Sequence, residues 1–158
     1  MKNLLFLPSP LGRIGIAENG RALTDLFFGG ETLPGAVVRS TPLLERAAAQ
    51  LEEYFAGTRT AFDLPLEAEG TPFQRRVWEA LQEIPYGSTV SYARIAARTG
   101  NPRGSRAVGA ANRRNPLAII VPCHRVVGAD GSLTGYAGGL ERKEFLLRLE
   151  RAAMEKMR

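Results

Sequence analysis

"SYARIAARTGNPRGSRAVGAANRR", residues 91–114, decides how the second half of this chain folds. Ser91 suits a helix N-cap and Gly100 a helix stop, so the first ten residues read as one short helix. "NPRG" supplies turn chemistry, and the small or basic residues from about Arg103 to Arg114 form a second helix. Two short helices joined by a tight glycine-containing turn, the second rich in arginine, make a helix-turn-helix pattern. Just upstream, "TPFQRRVWEALQEI" opens with Thr71 and Pro72 and places Phe73, Val77, Leu81 and Ile84 on one helical face, before "PYGS" breaks it. Downstream, "PLAIIVP" is expected to be a buried, extended run that ends at Cys123. A glycine-rich loop, "GADGSLTGYAGG", then leads to a last helix, "LERKEFLLRLE". That helix should turn Leu140, Phe145, Leu146 and Leu149 inward and carry Glu150 near its end.

The first half reads differently. "NLLFLPS", "GRIGIAE" and "ALTDLFF" are short apolar-rich runs separated by turn residues, the pattern of β-hairpins. A helix follows with Thr41 as N-cap and Pro42 in its first turn. Leu44, Ala47, Ala48, Leu51, Tyr54 and Phe55 form its stripe, and it ends near Gly57. The fold class is therefore α/β (α+β): a small strand-and-helix lobe over residues 1–70 and a mainly helical one over 71–158. A chain of 158 residues has the length to bury a core for one domain or two small lobes. No apolar run approaches the roughly 20 residues that cross a bilayer, and "MKNLLFLPSPLG" reads as a first strand rather than a secretory signal, which points to the cytoplasm.

Charge is unevenly spread. Residues 1–70 carry six basic and nine acidic side chains; residues 71–158 carry fifteen and seven. Between Ile84 and Ala129 there is no acidic residue, while Arg94, Arg98, Arg103, Arg106, Arg113, Arg114 and Arg125 all fall there. A basic excess on its own is a solvated face; seven arginines without a compensating acid favour a polyanion partner.

The only cysteine and the only histidine of the chain are neighbours, in "VPCHRVVG", residues 121–128. One cysteine makes no internal disulfide, and one Cys with one His cannot close a four-ligand zinc site, so no metal is expected. By base rate, Cys123 behind Ile119, Ile120 and Val121 is a small buried hydrophobe. Against that, Pro122 turns the chain and His124 and Arg125 create an electropositive setting that favours thiolate, the condition for a nucleophile. Adjacent side chains in an extended segment point apart, so a Cys–His dyad here needs a turn or a bridging water. A histidine base is usually oriented by an acid, for which Asp130, Glu141, Glu144, Glu150 and Glu155 all remain open on composition.

From Thr71 to Glu150, the block "RAVG…NP…VPCHRV…GYAGG…K..LL..E" resembles the C-terminal domain of the O6-alkylguanine-DNA alkyltransferases, the methylated-DNA–protein-cysteine methyltransferases. The lobe before it is similar in size and element order to that family's ribonuclease-H-like domain. The resemblance implies a winged-helix-like DNA-binding domain, a monomer without cofactor, and double-stranded DNA carrying O6-alkylguanine as partner, approached from the minor groove. It makes Cys123 the alkyl acceptor in a single-turnover reaction, His124 its base through a water, and Glu150 the group that orients the imidazole. Asn115 would tie the helix-turn-helix to the active-site segment, and Tyr92 would donate to a ring nitrogen of the leaving base. Main-chain carbonyls of Cys123 and Val126 would accept from the exocyclic amine, Tyr136 would wall the pocket, the Ala137 amide would face O6, and Lys143 would stand at the rim. Arg106 would fill the gap left by the flipped nucleotide, with Ala107, Gly109 and Ala110 allowing close approach to the groove. Arg94, Arg113 and Arg114 would contact phosphates.

The chain departs from some members in having Ala118 where a proline occurs, Ala137 where a serine occurs, and Thr134 on the roofing loop; these bear on the handling of bulky benzyl groups. Zinc-binding members use first-lobe ligands that this chain lacks. A non-catalytic lesion binder, a helix-turn-helix transcription regulator and a thiol hydrolase are the competing readings. The first gives binding without transfer, the second base-specific major-groove contacts, the third multiple turnovers.

Overall fold

Three strands in antiparallel succession open the chain in this computed structural model, which describes residues 1–30 and 32–157. They are β1 (Lys2–Leu7), β2 (Ile14–Glu18) and β3 (Leu23–Phe28). A short β4 (Ala36–Val38) returns to pair in parallel with the outer side of β1, giving the order β3-β2-β1-β4. The sequence did not signal β4: three residues are too few for an alternation to register. Helix α1 (Pro42–Phe55) packs on β1 and β2; Leu44, Ala47, Leu51 and Tyr54 of the helix and Leu4, Ile14 and Ile16 of the strands are all buried. Its start is as expected, the Thr41 hydroxyl accepting from the Leu44 N–H at 3.2 Å with Pro42 in the first turn. Gly15 is needed where it stands, because a Cβ there would lie 2.4 Å from the Phe27 ring. Met1–Ala68 forms one compact unit.

The second unit begins at Glu69. Helix α2 (Pro72–Gln82) has a reciprocal cap in which the Thr71 hydroxyl accepts from Gln74 N–H and the Gln74 side chain accepts from Thr71 N–H. β5 (Val90–Ser91) runs straight into α3 (Tyr92–Arg98), capped by the Ser91 hydroxyl at 3.1 Å from Arg94 N–H. A turn follows, then α4 (Ser105–Arg113), β6 (Val126–Val127) and α5 (Leu140–Lys156). The helix-turn-helix is present. Trp78 on α2 is buried and its indole N–H donates to Ala111 O at 2.8 Å, joining α2 to α4. β5 and β6 pair in parallel, Val90 with Val126 and Ser91 with Val127, which places the first residues of α3 beside the segment that follows Cys123.

Two expectations are corrected. "PLAIIVP" is buried but not extended: it winds through successive turns, because Asn115 and Pro122 divert the backbone. α5 continues past Glu150 to Lys156, and its inward face is Lys143, Leu146, Leu147, Glu150 and Ala153, while Leu140 and Phe145 are 49% and 36% exposed. No helix among the described residues is long and apolar enough to cross a membrane.

Candidate active site

Cys123 begins a single 3-10 turn, Cys123–Arg125, and lies 4% exposed. That turn takes the segment out of the extended geometry in which adjacent side chains point apart. His124 is fully buried, and its Nε2 is 2.6 Å from Glu150 Oε2. Arg125 grips the same carboxylate twice, Nε to Oε1 at 2.8 Å and an Nη to Oε2 at 3.0 Å, and its other Nη donates to Ile84 O at 2.8 Å. The Gly87 N–H adds a further donor to Oε1 at 3.2 Å. Of the five acids open from composition, Glu150 is the one the fold brings to His124.

Burial alone would raise the Glu150 carboxyl, but the hydrogen bonds and charges of His124 and Arg125 outweigh it and hold it down at about 2. It is therefore a carboxylate at neutral pH. Burial lowers His124, a pull that Glu150 only partly offsets, so the imidazole is neutral. A neutral imidazole facing a carboxylate keeps its proton on Nε2, which leaves Nδ1 as a bare acceptor. Nδ1 is buried and has no hydrogen-bond partner among the described residues.

The expected electropositive activation of the thiol does not hold at rest. Burial pushes Cys123 up to about 11, against smaller opposing effects from a hydrogen bond of Asn115 and the charge of Lys143. The reason lies in the neighbours: Arg125 is committed to Glu150 and His124 is uncharged. Cys123 rests as a thiol.

Two asparagines hold the nucleophile's backbone. Asn115 Nδ2 donates to Val121 O at 2.8 Å, and its Oδ1 accepts from Leu117 N–H at 3.0 Å. The direct tie from α4 to Cys123 is Asn112, buried, with Nδ2 at 3.2 Å from Cys123 O. Sequence reasoning missed Asn112 and the role of Arg125; an asparagine in the inward register of an otherwise small-residue helix was the available signal.

Lys143, expected at a pocket rim, is instead fully buried. Its ammonium donates to Val126 O at 2.5 Å and Thr134 O at 2.7 Å, and burial lowers it to about 8. The Tyr92 hydroxyl donates to the same Thr134 carbonyl at 3.0 Å. Tyr136 is buried, with its phenol pushed well above the ordinary range by burial, and Ala137 is exposed. A cavity of about 500 Å³ opens between Ser105, Arg106, Gly109 and Arg113 of α4 and Tyr92, Thr134 and Gly135. Cys123, Val126, Tyr136, Ala137 and Lys143 do not line it. Ala107, Ala110 and Arg114 share the exposed side of α4, whereas Arg94 faces a separate cavity of about 260 Å³ with Glu83 and Arg98.

The family described as the 6-O-methylguanine DNA methyltransferase DNA-binding domain matches residues 72–152, and the ribonuclease-like domain of the same methyltransferase matches residues 5–68. The chain belongs to this family. A methylated-DNA–protein-cysteine methyltransferase of Methanosarcina acetivorans is 53% identical over 90% of this chain and 94% of its own length. The constitutive methylated-DNA–protein-cysteine methyltransferase of Bacillus subtilis is 52% identical over 90% and 92%. Among solved structures, Mycobacterium tuberculosis OGT in complex with DNA superposes with a TM-score of 0.90 at 47% identity, covering 96% of this chain and 94% of that one. Family membership accounts for a lone cysteine beside a histidine on the far side of a helix-turn-helix.

Proposed function

We propose that this chain repairs alkylated DNA by moving the alkyl group from O6 of a guanine in duplex DNA to Cys123, one group per protein molecule. The observation that carries the reading is the buried Cys123 beside a neutral His124 whose bare Nδ1 is backed by an ionised Glu150. Residues 1–70 serve as scaffold and 71–158 as the DNA-binding and acceptor domain, acting in the cytoplasm as a monomer and without cofactor.

His124 Nδ1 takes the thiol proton through a water, and the imidazolium so formed is stabilised by Glu150. The thiolate attacks the alkyl carbon, a C–S bond forms as the C–O6 bond breaks, and the electron pair leaves on the guanine. Tyr92 gives a proton to the ring nitrogen, so that guanine departs neutral, and solvent restores the tyrosine. A thiol 4% exposed is reached only after its surroundings move, and the Thr134–Gly135 segment, which lines the α4 cavity, is the element we propose to give way. The bonds to be exchanged are those from Tyr92 and Lys143 to Thr134 O. Guanine's exocyclic amine then joins Lys143 on Val126 O, because Cys123 O already accepts from Asn112 and from the Val126 N–H. Tyr136 walls the base and the Ala137 amide meets O6.

On the DNA side, Arg106 occupies the gap left by the flipped nucleotide, and the small Ala107, Gly109 and Ala110 let α4 enter the minor groove. A Cβ at Gly109 would only touch Tyr92 at 3.9 Å, so the fold itself does not demand glycine there; close approach of a partner supplies a reason. Arg113 and Arg114 extend the same face toward phosphates, with Arg94 a more distant contact.

Arg106→Ala should lower the transfer rate on duplex DNA about 10- to 100-fold more than on free O6-alkylguanine base, since flipping a nucleotide costs a few kcal/mol that only duplex substrates must meet. Equal losses on both would remove this role. The function itself is tested by intact mass. Mixed with a methylated-guanine duplex, the protein should gain one methyl per molecule and stop; no gain, or continued product release, would reject the reading.

A further inference from the structure

Ile119 has φ +71°, and every other described residue at positive φ is a glycine. Isoleucine is among the residues least suited to that region, because its β-branch crowds the backbone. It is also 1% exposed, so no solvent contact explains it. The Ile120 N–H donates to Ala118 O at 2.8 Å, closing a three-residue γ-turn centred on Ile119. Of the two hands of γ-turn, the positive-φ form is the rare and strained one.

A second γ-turn follows at once. Pro122, at φ −81° and ψ 64°, is the centre of the low-energy hand, closed by Cys123 N–H on Val121 O at 2.8 Å. Between the two, Val121 is fixed from three directions. Its N–H donates to Leu117 O at 2.9 Å, and its carbonyl accepts from both Asn115 Nδ2 and Cys123 N–H. The backbone path into the nucleophile is thus set by two tight turns in tandem, one of them strained. Such an outlier persists only where its surroundings over-determine it, and here the buried Leu117, Ile119 and Val121 with the Asn115 bonds do so. A chain that fills its other described positive-φ positions with glycine keeps isoleucine at this one, which marks the side chain as needed for anchoring the turn.

We propose that Ile119 is a positioning residue for the transfer, its buried side chain holding a strained turn that fixes the Cys123 thiol relative to His124. The proposal rests on Cys123 being the acceptor. Ile119→Ala keeps the left-handed strain and removes the anchor; Ile119→Gly removes both. Melting temperature, duplex affinity and single-turnover transfer from an O6-methylguanine duplex are measured for both variants beside the wild type. The glycine variant should melt no lower than the alanine variant, reversing the usual order of the two residues. Both variants should nevertheless transfer about tenfold more slowly than the wild type at equal duplex affinity, as expected when a reacting group loses its fixed geometry. A glycine variant that melts below the alanine variant overturns the strain, and transfer at the wild-type rate in both variants overturns the positioning. A wild type without transfer overturns the acceptor reading, and this one with it, whatever the melting order. If the glycine or alanine variant does not fold, Ile119→Asn against Ile119→Thr repeats both comparisons, since asparagine tolerates the left-handed region and threonine does not.

Discussion

Cys123→Ala should abolish alkyl transfer completely while leaving the protein folded and bound to its lesion. The change removes one sulfur from a buried position, costing about 1 kcal/mol, at the low end of core truncations. None of the residues that line the α4 cavity is altered, so affinity for an alkylated duplex should match the wild type. The sharper contrast is in stability after exposure to the lesion. A methyl added to a thiol that is 4% exposed must be accommodated among buried neighbours. Overpacking of that kind costs about 1–3 kcal/mol, and at roughly 2–4 °C per kcal/mol for a chain of this size the alkylated wild type should melt about 2–12 °C lower. The alanine variant should show no drop and no mass gain. A mass gain that survives the substitution would place the acceptor elsewhere.

Glu150→Ala should be among the most destabilising single substitutions in the chain. Arg125 would remain buried with its carboxylate gone, and unpairing a buried charge costs about 3–5 kcal/mol, against a total stability of roughly 5–15 kcal/mol. Replacing both partners, Glu150→Leu with Arg125→Met, should recover much of that loss in a double-mutant comparison. Glu150→Gln keeps the shape and separates chemistry from folding. Transfer should fall about 10²- to 10⁴-fold as His124 loses the charge that stabilises its protonated form, while duplex affinity stays near wild type because Glu150 is fully buried. Collapse of affinity would make Glu150 structural only.

The same carboxylate gives the acid limb of the stability profile a definite sign. The folded pKa of Glu150, about 2, lies below its ordinary 4.5, so its contribution is full above 4.5 and is lost as pH falls toward 2. That amounts to about 3 kcal/mol. His124, also lowered, adds to the loss below its ordinary 6.5, because the unfolded chain takes a proton the folded one refuses. Acid titration of melting temperature should therefore fall more steeply for the wild type than for Glu150→Gln.

Much of this was readable beforehand, and the failures have physical causes. Thr-Pro openings marked the starts of α1 and α2, and serine before an apolar period marked α3, because cap chemistry is local. The "AIIVP" run was read correctly as buried and wrongly as extended: hydrophobicity reports where a segment goes, not which turns take it there. On α5, choosing the apolar residues as the inward face left Lys143 at a rim, and only the family resemblance singled out Glu150, although both share the inward register with Leu146 and Leu147. Charged residues in a core register were the signal, and they proved to be Lys143, which grips the Thr134 carbonyl, and Glu150, whose carboxylate lies 2.6 Å from His124 Nε2. The charge state of Cys123 was out of reach, since a basic neighbour in sequence says nothing of where its charge is spent. Arg125 spends it on Glu150.

Trp78 is the only tryptophan in the chain, and its indole N–H is fixed to Ala111 O on α4. Ultraviolet emission selectively excited in this protein thus comes from one fluorophore, moored to the helix that carries Arg106 and Arg113. A displacement of that helix on binding or on alkylation would disturb the Trp78 bond, so stopped-flow emission is a label-free test of whether α4 moves.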